Sequence, residues 1–195
     1  MPEKPNSRGQ IVETAAKLFF TQGYHGTGLN QIIKESHSPK GSLYYYFPDG
    51  KEELAVECIH CASQSVIEKI RTCVSESANT VEGLQLFIEG MVEESRSSQY
   101  RGFMPFSFWM AAETSCISDT MRKACQSAFT EWQDVIAEHL REEQMSAERA
   151  DETASIFIAM LEGALILTLT NRDPKPLETA IKYVPYLVKN CPSLS

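Results

Sequence analysis

Between Lys40 and Lys51 the chain concentrates two ammonium groups, the hydroxyl of Ser42 and three consecutive phenols at Tyr44, Tyr45 and Tyr46. Hydroxyls and phenols donate hydrogen bonds to phosphate oxygens, and an ammonium neutralises the phosphate charge. Ser42, Tyr44, Tyr46 and Lys51 are therefore candidates to clamp a sugar–phosphate backbone. Lys40, at the start of the segment, has the reach to touch base-edge acceptors such as guanine O6 and N7. The competing reading of the three tyrosines is a half-buried aromatic ridge, with Tyr44, next to Leu43, the most core-like of them.

Those side chains need a scaffold, and the flanking residues supply one. Thr27 to Phe47 reads as two short helices broken by a tight turn, the layout of a helix-turn-helix. Ile32 and Ile33 form the apolar side of the first helix. Ser36-His-Ser-Pro39 breaks the pattern, with Ser38 expected as N-cap and Pro39 at the first helical position, where its missing N–H costs little. Leu43 and Phe47, four apart, share a face that can bury. Upstream, Ser7 with Gln10 makes a capping box, Ile11, Ala15, Leu18 and Phe19 recur at helical spacing, and Gly23 is the expected stop. A three-helix unit that holds its third helix outward follows.

The chain has 195 residues, 43% of them hydrophobic, and a net charge of −8. Residues 1 to 50 hold five Lys and Arg against four Asp and Glu, and the remainder thirteen against twenty-two. A generally adhesive polycation is excluded, so any DNA contact rests on locally placed Lys40, Lys51 and Arg8 with helix N-termini and hydroxyls. The N-terminus has no apolar leader, and the longest apolar run, Ile156 to Leu169, is interrupted by Glu162 and shorter than the roughly 18 to 20 residues of a bilayer span. No membrane association and a cytoplasmic location are expected, with the cysteines reduced.

Beyond the turn Pro48-Asp-Gly50, Lys51 opens a long helix with the stripe Ala55, Ile59, Ala62, Val66, Ile70 and Cys73. At 1.5 Å per residue its roughly 22 residues span about 33 Å, a natural lever. Val81, Leu84, Phe87, Ile88 and Met91 form a second stripe, and Met121, Cys125, Ala128, Phe129, Trp132, Ile136 and Leu140 a third. Ala150 to Thr170 is apolar nearly all round, so it must bury more than one face. With a last helix from Leu177, which Pro185 is expected to kink or stop by leaving the Ile181 carbonyl without a donor, it suggests a two-fold, four-helix dimer seam. Glu162 within it has three readings: across the dimer, in a pocket, or toward water. The expected fold is all-α with roughly nine helices, a DNA-binding domain at residues 1–50 and a helical dimerisation domain at 51–195.

Phe103, Phe106, Trp109 and Met110, with Met91, Phe129, Trp132 and Met160, either line an apolar pocket for a planar or greasy small molecule or form plain core. Cys58-Ile-His-Cys61 is a potential redox or metal pair, but it lies mid-helix beside the apolar stripe, where small buried hydrophobes are the simpler reading. His25, His37 and His139 have no catalytic spacing. Neither an enzyme nor a cofactor is indicated; the rivals are a cysteine-based redox or metal-responsive regulator using Cys58 and Cys61, and a helical protein-interaction adaptor.

Gly23-Tyr24, Thr27, Ile32, Lys40-Gly-Ser-Leu-Tyr-Tyr-Tyr-Phe47 and Lys51 resemble the DNA-binding signature of the TetR family of bacterial repressors. Phe47-Pro-Asp-Gly-Lys-Glu-Glu-Leu54, Trp132-Gln133 and Leu161-Glu-Gly-Ala-Leu165 are similar to its LmrA/YxaF-like branch. The turn departs from the family pattern, carrying His37 where glycine is usual and Ser38-Pro39 where Val-Ser is usual. The resemblance implies Thr27 and Tyr46 as phosphate contacts, and Asn30, Lys40 and Tyr45 as base or groove contacts. It also implies an effector cavity around the aromatic cluster, a homodimer, a pseudo-palindromic double-stranded operator, and release by a small apolar or aromatic effector.

Overall fold

The computed structural model describes residues 7–100 and 118–190. Among these residues it is all-helical, with eight helices: α1 Ser7–Gly26, α2 Leu29–Glu35, α3 Lys40–Tyr46, α4 Lys51–Ser75, α5 Thr80–Ser97, α6 Asp119–Glu142, α7 Ala147–Asn171 and α8 Lys175–Asn190. They fall into two compact units. One holds the described residues through Ala62 and from Ser118 to Gln126; the other holds Ser63 to Tyr100 and Ser127 to Asn190. Helices α4 and α6 each contribute to both.

In the first unit α1 buries Ile11, Val12, Ala15, Leu18 and Phe19, a spacing that keeps one helical face inward. Ile32 of α2, Leu43 of α3, Phe47, and Leu54, Ala55, Cys58 and Ile59 of α4 are likewise buried. Ile33, expected beside Ile32, is only half-buried. Gly23 takes φ 81° and ψ 164° within α1, a region essentially restricted to glycine, so the chain kinks there and runs on to Gly26. The turn between α2 and α3 places His37 at φ 50°, a left-handed backbone that histidine adopts more readily than most residues. The N-cap of α3 is Pro39, not Ser38; the buried Ser38 hydroxyl donates instead to the Ser36 carbonyl at 3.3 Å.

The second unit is built around a core of Ile67 and Ile70 of α4, Leu84, Phe87, Ile88 and Val92 of α5, Trp132, Ile136 and Leu140 of α6, Phe157, Ile158, Leu161 and Leu165 of α7, and Leu177 and Val184 of α8. The α4 stripe departs from the expected one: Ser63 and Ile67 are buried, whereas Ala62, Val66 and Cys73 are half-buried. A buried serine is tolerated because its hydroxyl donates to Glu131 Oε2 at 3.2 Å and accepts from Trp132 Nε1 at 3.1 Å.

Pro185 does not stop α8, which runs through it to Asn190. Gln85 of α5 donates its side-chain amide to the Ile181 carbonyl at 3.0 Å, so the acceptor orphaned by proline is satisfied from a neighbouring helix. Gln85→Leu should therefore destabilise the protein by about 1 kcal/mol, the net contribution of one part-buried hydrogen bond, read as a lower urea midpoint at unchanged m-value.

Helix α7 has 25 residues and extends on both sides of the apolar run Ile156 to Leu169; by length and composition alone it is long and apolar enough to cross a membrane, a test that buried core helices also pass. One face is in the core of its unit. The other exposes Ile156 and Leu167, 47% and 53% accessible, with Ala159, Gly163 and Thr170 also exposed and Met160 half-buried. Ile156, Met160, Gly163, Leu167 and Thr170 alternate steps of four and three, the spacing of a coiled-coil seam. On α8, Tyr183 and Tyr186 are exposed, their rings 5.9 Å apart.

Candidate nucleic-acid interface

Helix α3 stands on Leu43 and on Phe47 just beyond it, both buried, and turns the rest of its surface to solvent. Tyr44, Tyr45 and Tyr46 are 44%, 79% and 37% exposed. The core-like reading of Tyr44 is thus corrected: with Leu43 pointing inward, a residue one step on is rotated about 100° away. Tyr45 and Tyr46 meet edge to face with centroids 5.1 Å apart. Lys40 is exposed, with Nζ 5.9 Å from the Tyr44 ring centre, and Ser42 is half-buried. Asn30, on the first turn of α2, is exposed.

Thr27 is turned the other way. It is 1% exposed, and its hydroxyl donates to the Gly23 carbonyl at 2.8 Å while accepting from Gln22 Nε2 at 3.2 Å. Its side chain braces the approach to α2 instead of presenting a phosphate ligand. Gln22 also donates to Gln31 Oε1 at 2.7 Å, and Gln31 donates to Glu35 at 2.9 Å. This amide network across α1 and α2 was not anticipated from the sequence, because glutamines nine residues apart show no local spacing signal.

Lys51, at the first position of α4, is half-buried, its Nζ 4.2 Å from the Tyr24 ring centre. Burial and the nearby Glu52 carboxylate push the Tyr24 phenol upward, so it remains neutral. Arg8 is drawn elsewhere, pairing with Glu57 at 2.7 Å and lying over the Phe47 ring. Glu52 accepts a hydrogen bond from the Ser118 hydroxyl, which also accepts from the Met121 N–H at 3.2 Å in the first turn of α6.

Of the aromatic and thioether residues, Phe103, Phe106, Trp109 and Met110 lie outside the described residues. Trp132 is buried, with Phe129 edge-on at 5.3 Å, and Met91, Phe129 and Met160 pack half-buried against the same core. Glu162 is half-buried. Cys58 is buried and donates to the Val12 carbonyl at 3.6 Å; Cys61 is exposed beside Glu57 at 3.7 Å. Burial, followed by neighbouring negative charge, raises both thiols. That holds them protonated, against the thiolate chemistry a sensor needs. No cluster of three metal-ligating side chains occurs among the described residues.

The family profile "Bacterial regulatory proteins, tetR family" matches residues 11–58, and "Transcriptional regulator LmrA/YxaF-like, C-terminal domain" matches residues 80–183. The chain is 41% identical to the HTH-type transcriptional regulator LmrA of Bacillus subtilis over 94% of this chain and 97% of that protein. It is 40% identical to the HTH-type transcriptional regulator YxaF of the same organism, over 97% of this chain and 98% of that protein. A TetR transcriptional regulator from Legionella pneumophila has the same fold, with a TM-score of 0.82 at 19% identity over 96% of this chain and 100% of that one. A helix-turn-helix with an exposed basic and aromatic third helix, followed by this C-terminal region, places the chain in the TetR family of DNA-binding transcriptional regulators, in its LmrA/YxaF-like branch, and not among enzymes.

Proposed function

We propose that the protein is a cytoplasmic repressor that binds a pseudo-palindromic operator as a homodimer and is released by a small apolar or aromatic effector. The observation that carries the reading is α3: a short helix with a buried stem at Leu43 and an outer face of Lys40, Tyr44, Tyr45 and Tyr46. Lys40, Asn30 and Tyr45 face the groove; Ser42, Tyr44, Tyr46 and Lys51 meet phosphates. Thr27 supports them from beneath. The exposed seam of α7 and the tyrosines of α8 pair with their copies, setting two α3 helices about one DNA turn, roughly 34 Å, apart.

The effector site is assigned to Met91, Phe129, Trp132 and Met160, together with Phe103, Phe106, Trp109 and Met110. The indole N–H of Trp132 is already bonded within the protein to Ser63, which favours an apolar or aromatic guest over a polar one. Helix α4 starts at Lys51 and continues into the effector unit, so a shift along it alters the spacing of the two α3 helices. Release requires that the effector favour the wrong-spaced state, because equal affinity for both would shift nothing. A coupling of about 1–3 kcal/mol, roughly 5- to 150-fold in operator affinity, is the ordinary scale.

A gel shift with DNA upstream of the protein's own gene tests the reading. Salt-sensitive binding that a panel of planar aromatics relieves is expected; no binding to any such fragment would refute it. Within that assay Lys40→Ala should change the ranking of operator variants, whereas Lys51→Ala should weaken all of them and lower the salt slope by about 1. Proportional weakening of every sequence by both variants would contradict the two roles.

A further inference from the structure

We propose that Lys34 and His37 form a phosphate-binding site at the turn between α2 and α3, which adds one operator phosphate per subunit to those met from α3 and α4. The inference rests on the reading of the helix-turn-helix as the operator contact and extends that contact along α2. Asn30, assigned to the groove, and Lys34 are four apart on α2, so they share a face. Both are exposed, while Ile32 and Ser36 take the buried side. The face that starts at the groove therefore ends on an ammonium. His37 stands three residues beyond Lys34, and its N–H donates to the Lys34 carbonyl at 3.3 Å.

The turn is pinned on both sides of the imidazole. Ser36 and Ser38 are buried; the Ser36 hydroxyl donates to the Ile33 carbonyl at 3.4 Å, and the Ser38 hydroxyl to the Ser36 carbonyl at 3.3 Å. His37 between them is exposed at φ 50°, a backbone that costs any side chain more than it costs glycine. Among the described residues its imidazole makes no hydrogen bond and no carboxylate pairs with Lys34, in contrast to Arg8, which Glu57 engages at 2.7 Å. The carbonyls that end α2 would repel an anion, but those of Ile32 and Lys34 already accept the Ser36 N–H at 2.9 Å and the His37 N–H. Glu35 is rotated about 100° from Lys34 and accepts from Gln31 Nε2 at 2.9 Å. An ammonium for one phosphate oxygen and an imidazole N–H for another are what remains on offer.

The test uses the full-length chain and a duplex of about 30 base pairs selected from a random pool by the wild-type protein, long enough for two half-sites. Affinity is measured by fluorescence anisotropy across a salt series for wild type, Lys34→Ala, His37→Gly and Lys40→Ala, with circular dichroism melting alongside. Lys34→Ala should lower the salt slope by about 1 per subunit. His37→Gly should bind on the order of 10-fold more weakly, one hydrogen bond being lost in each subunit, yet melt no earlier than the wild type, because glycine suits a left-handed backbone. A merely structural histidine would give the opposite pair of results. Ethylation interference on the same duplex locates the contact: one phosphate per half-site whose ethylation blocks the wild type should cease to block the Lys34→Ala, His37→Gly double variant, with the others unchanged. A wild-type slope in Lys34→Ala or wild-type affinity in His37→Gly overturns the two-residue site, as does an interference pattern unaltered in the double variant. Wild-type binding by Lys34→Ala, His37→Gly and Lys40→Ala together, or a wild-type chain that selects no duplex, overturns the helix-turn-helix reading itself, and this site with it.

Discussion

A chain carrying Ile156→Glu and Leu167→Glu should sediment as a monomer and bind operator DNA about 10²- to 10⁴-fold more weakly than the wild type. Both side chains are roughly half exposed on one face of α7, eleven residues and therefore three turns apart. Substitution at such positions leaves the interior of a single chain untouched, so the far-ultraviolet spectrum should be retained. In a two-fold seam each change appears twice, placing four carboxylates where apolar side chains meet, and unpaired buried charge is strongly unfavourable. The loss in affinity follows from linkage: two half-site contacts joined rigidly exceed one by the effective concentration of the second, and splitting the proposed dimer would remove that gain. Sedimentation velocity with anisotropy on the same samples checks both parts. A variant that remains dimeric would move the seam elsewhere.

The second large effect is expected at Gly83 of α5. A Cβ there would lie 2.6 Å from Val74 Cα, 2.8 Å from Val74 Cγ2 and 3.0 Å from Val74 N. Two of those atoms are α4 backbone, so no rotamer change relieves the clash, and the ends of α4 and α5 must separate. Gly83→Ala should destabilise by about 3 kcal/mol, the upper part of the overpacking range, despite the better helix propensity of alanine. Urea denaturation measures it; a loss below about 0.5 kcal/mol, the ordinary surface value, would mean that the two helices adjust freely.

Periodicity made most of the helices readable. Ile11, Ala15, Leu18 and Phe19, and Leu84, Phe87 and Ile88, are spaced at 3.6 residues and are buried as that spacing requires. The helix-turn-helix was readable too, since Pro39, Leu43 and Phe47 are local signals. What failed depended on partners distant in sequence. Pro185 reads as a kink or a stop, and nothing near it in sequence shows that Gln85, a hundred residues earlier, supplies the missing donor. Ser63 lies outside the expected α4 stripe, yet it is buried because Trp132 and Glu131 engage it, and no local signal marks Gly83, whose constraint comes from Val74 of α4. Within the interface, residue type showed that Thr27 and Tyr44 were polar and able to donate, but not that one points in and the other out. That choice is made by Gly23 and Gln22 for Thr27, and by Leu43 for Tyr44.

With a net charge of −8, one copy of α3 offers few cations to DNA, and the proposed operator binding therefore requires two copies at a fixed separation. Hydroxyl-radical footprinting of the full-length protein on its upstream DNA tests this most directly. Two protected patches of equal strength, centred about one helical turn (roughly 10 base pairs) apart and related by two-fold symmetry, are expected. A single protected patch, or two patches whose occupancies vary independently with protein concentration, would contradict it.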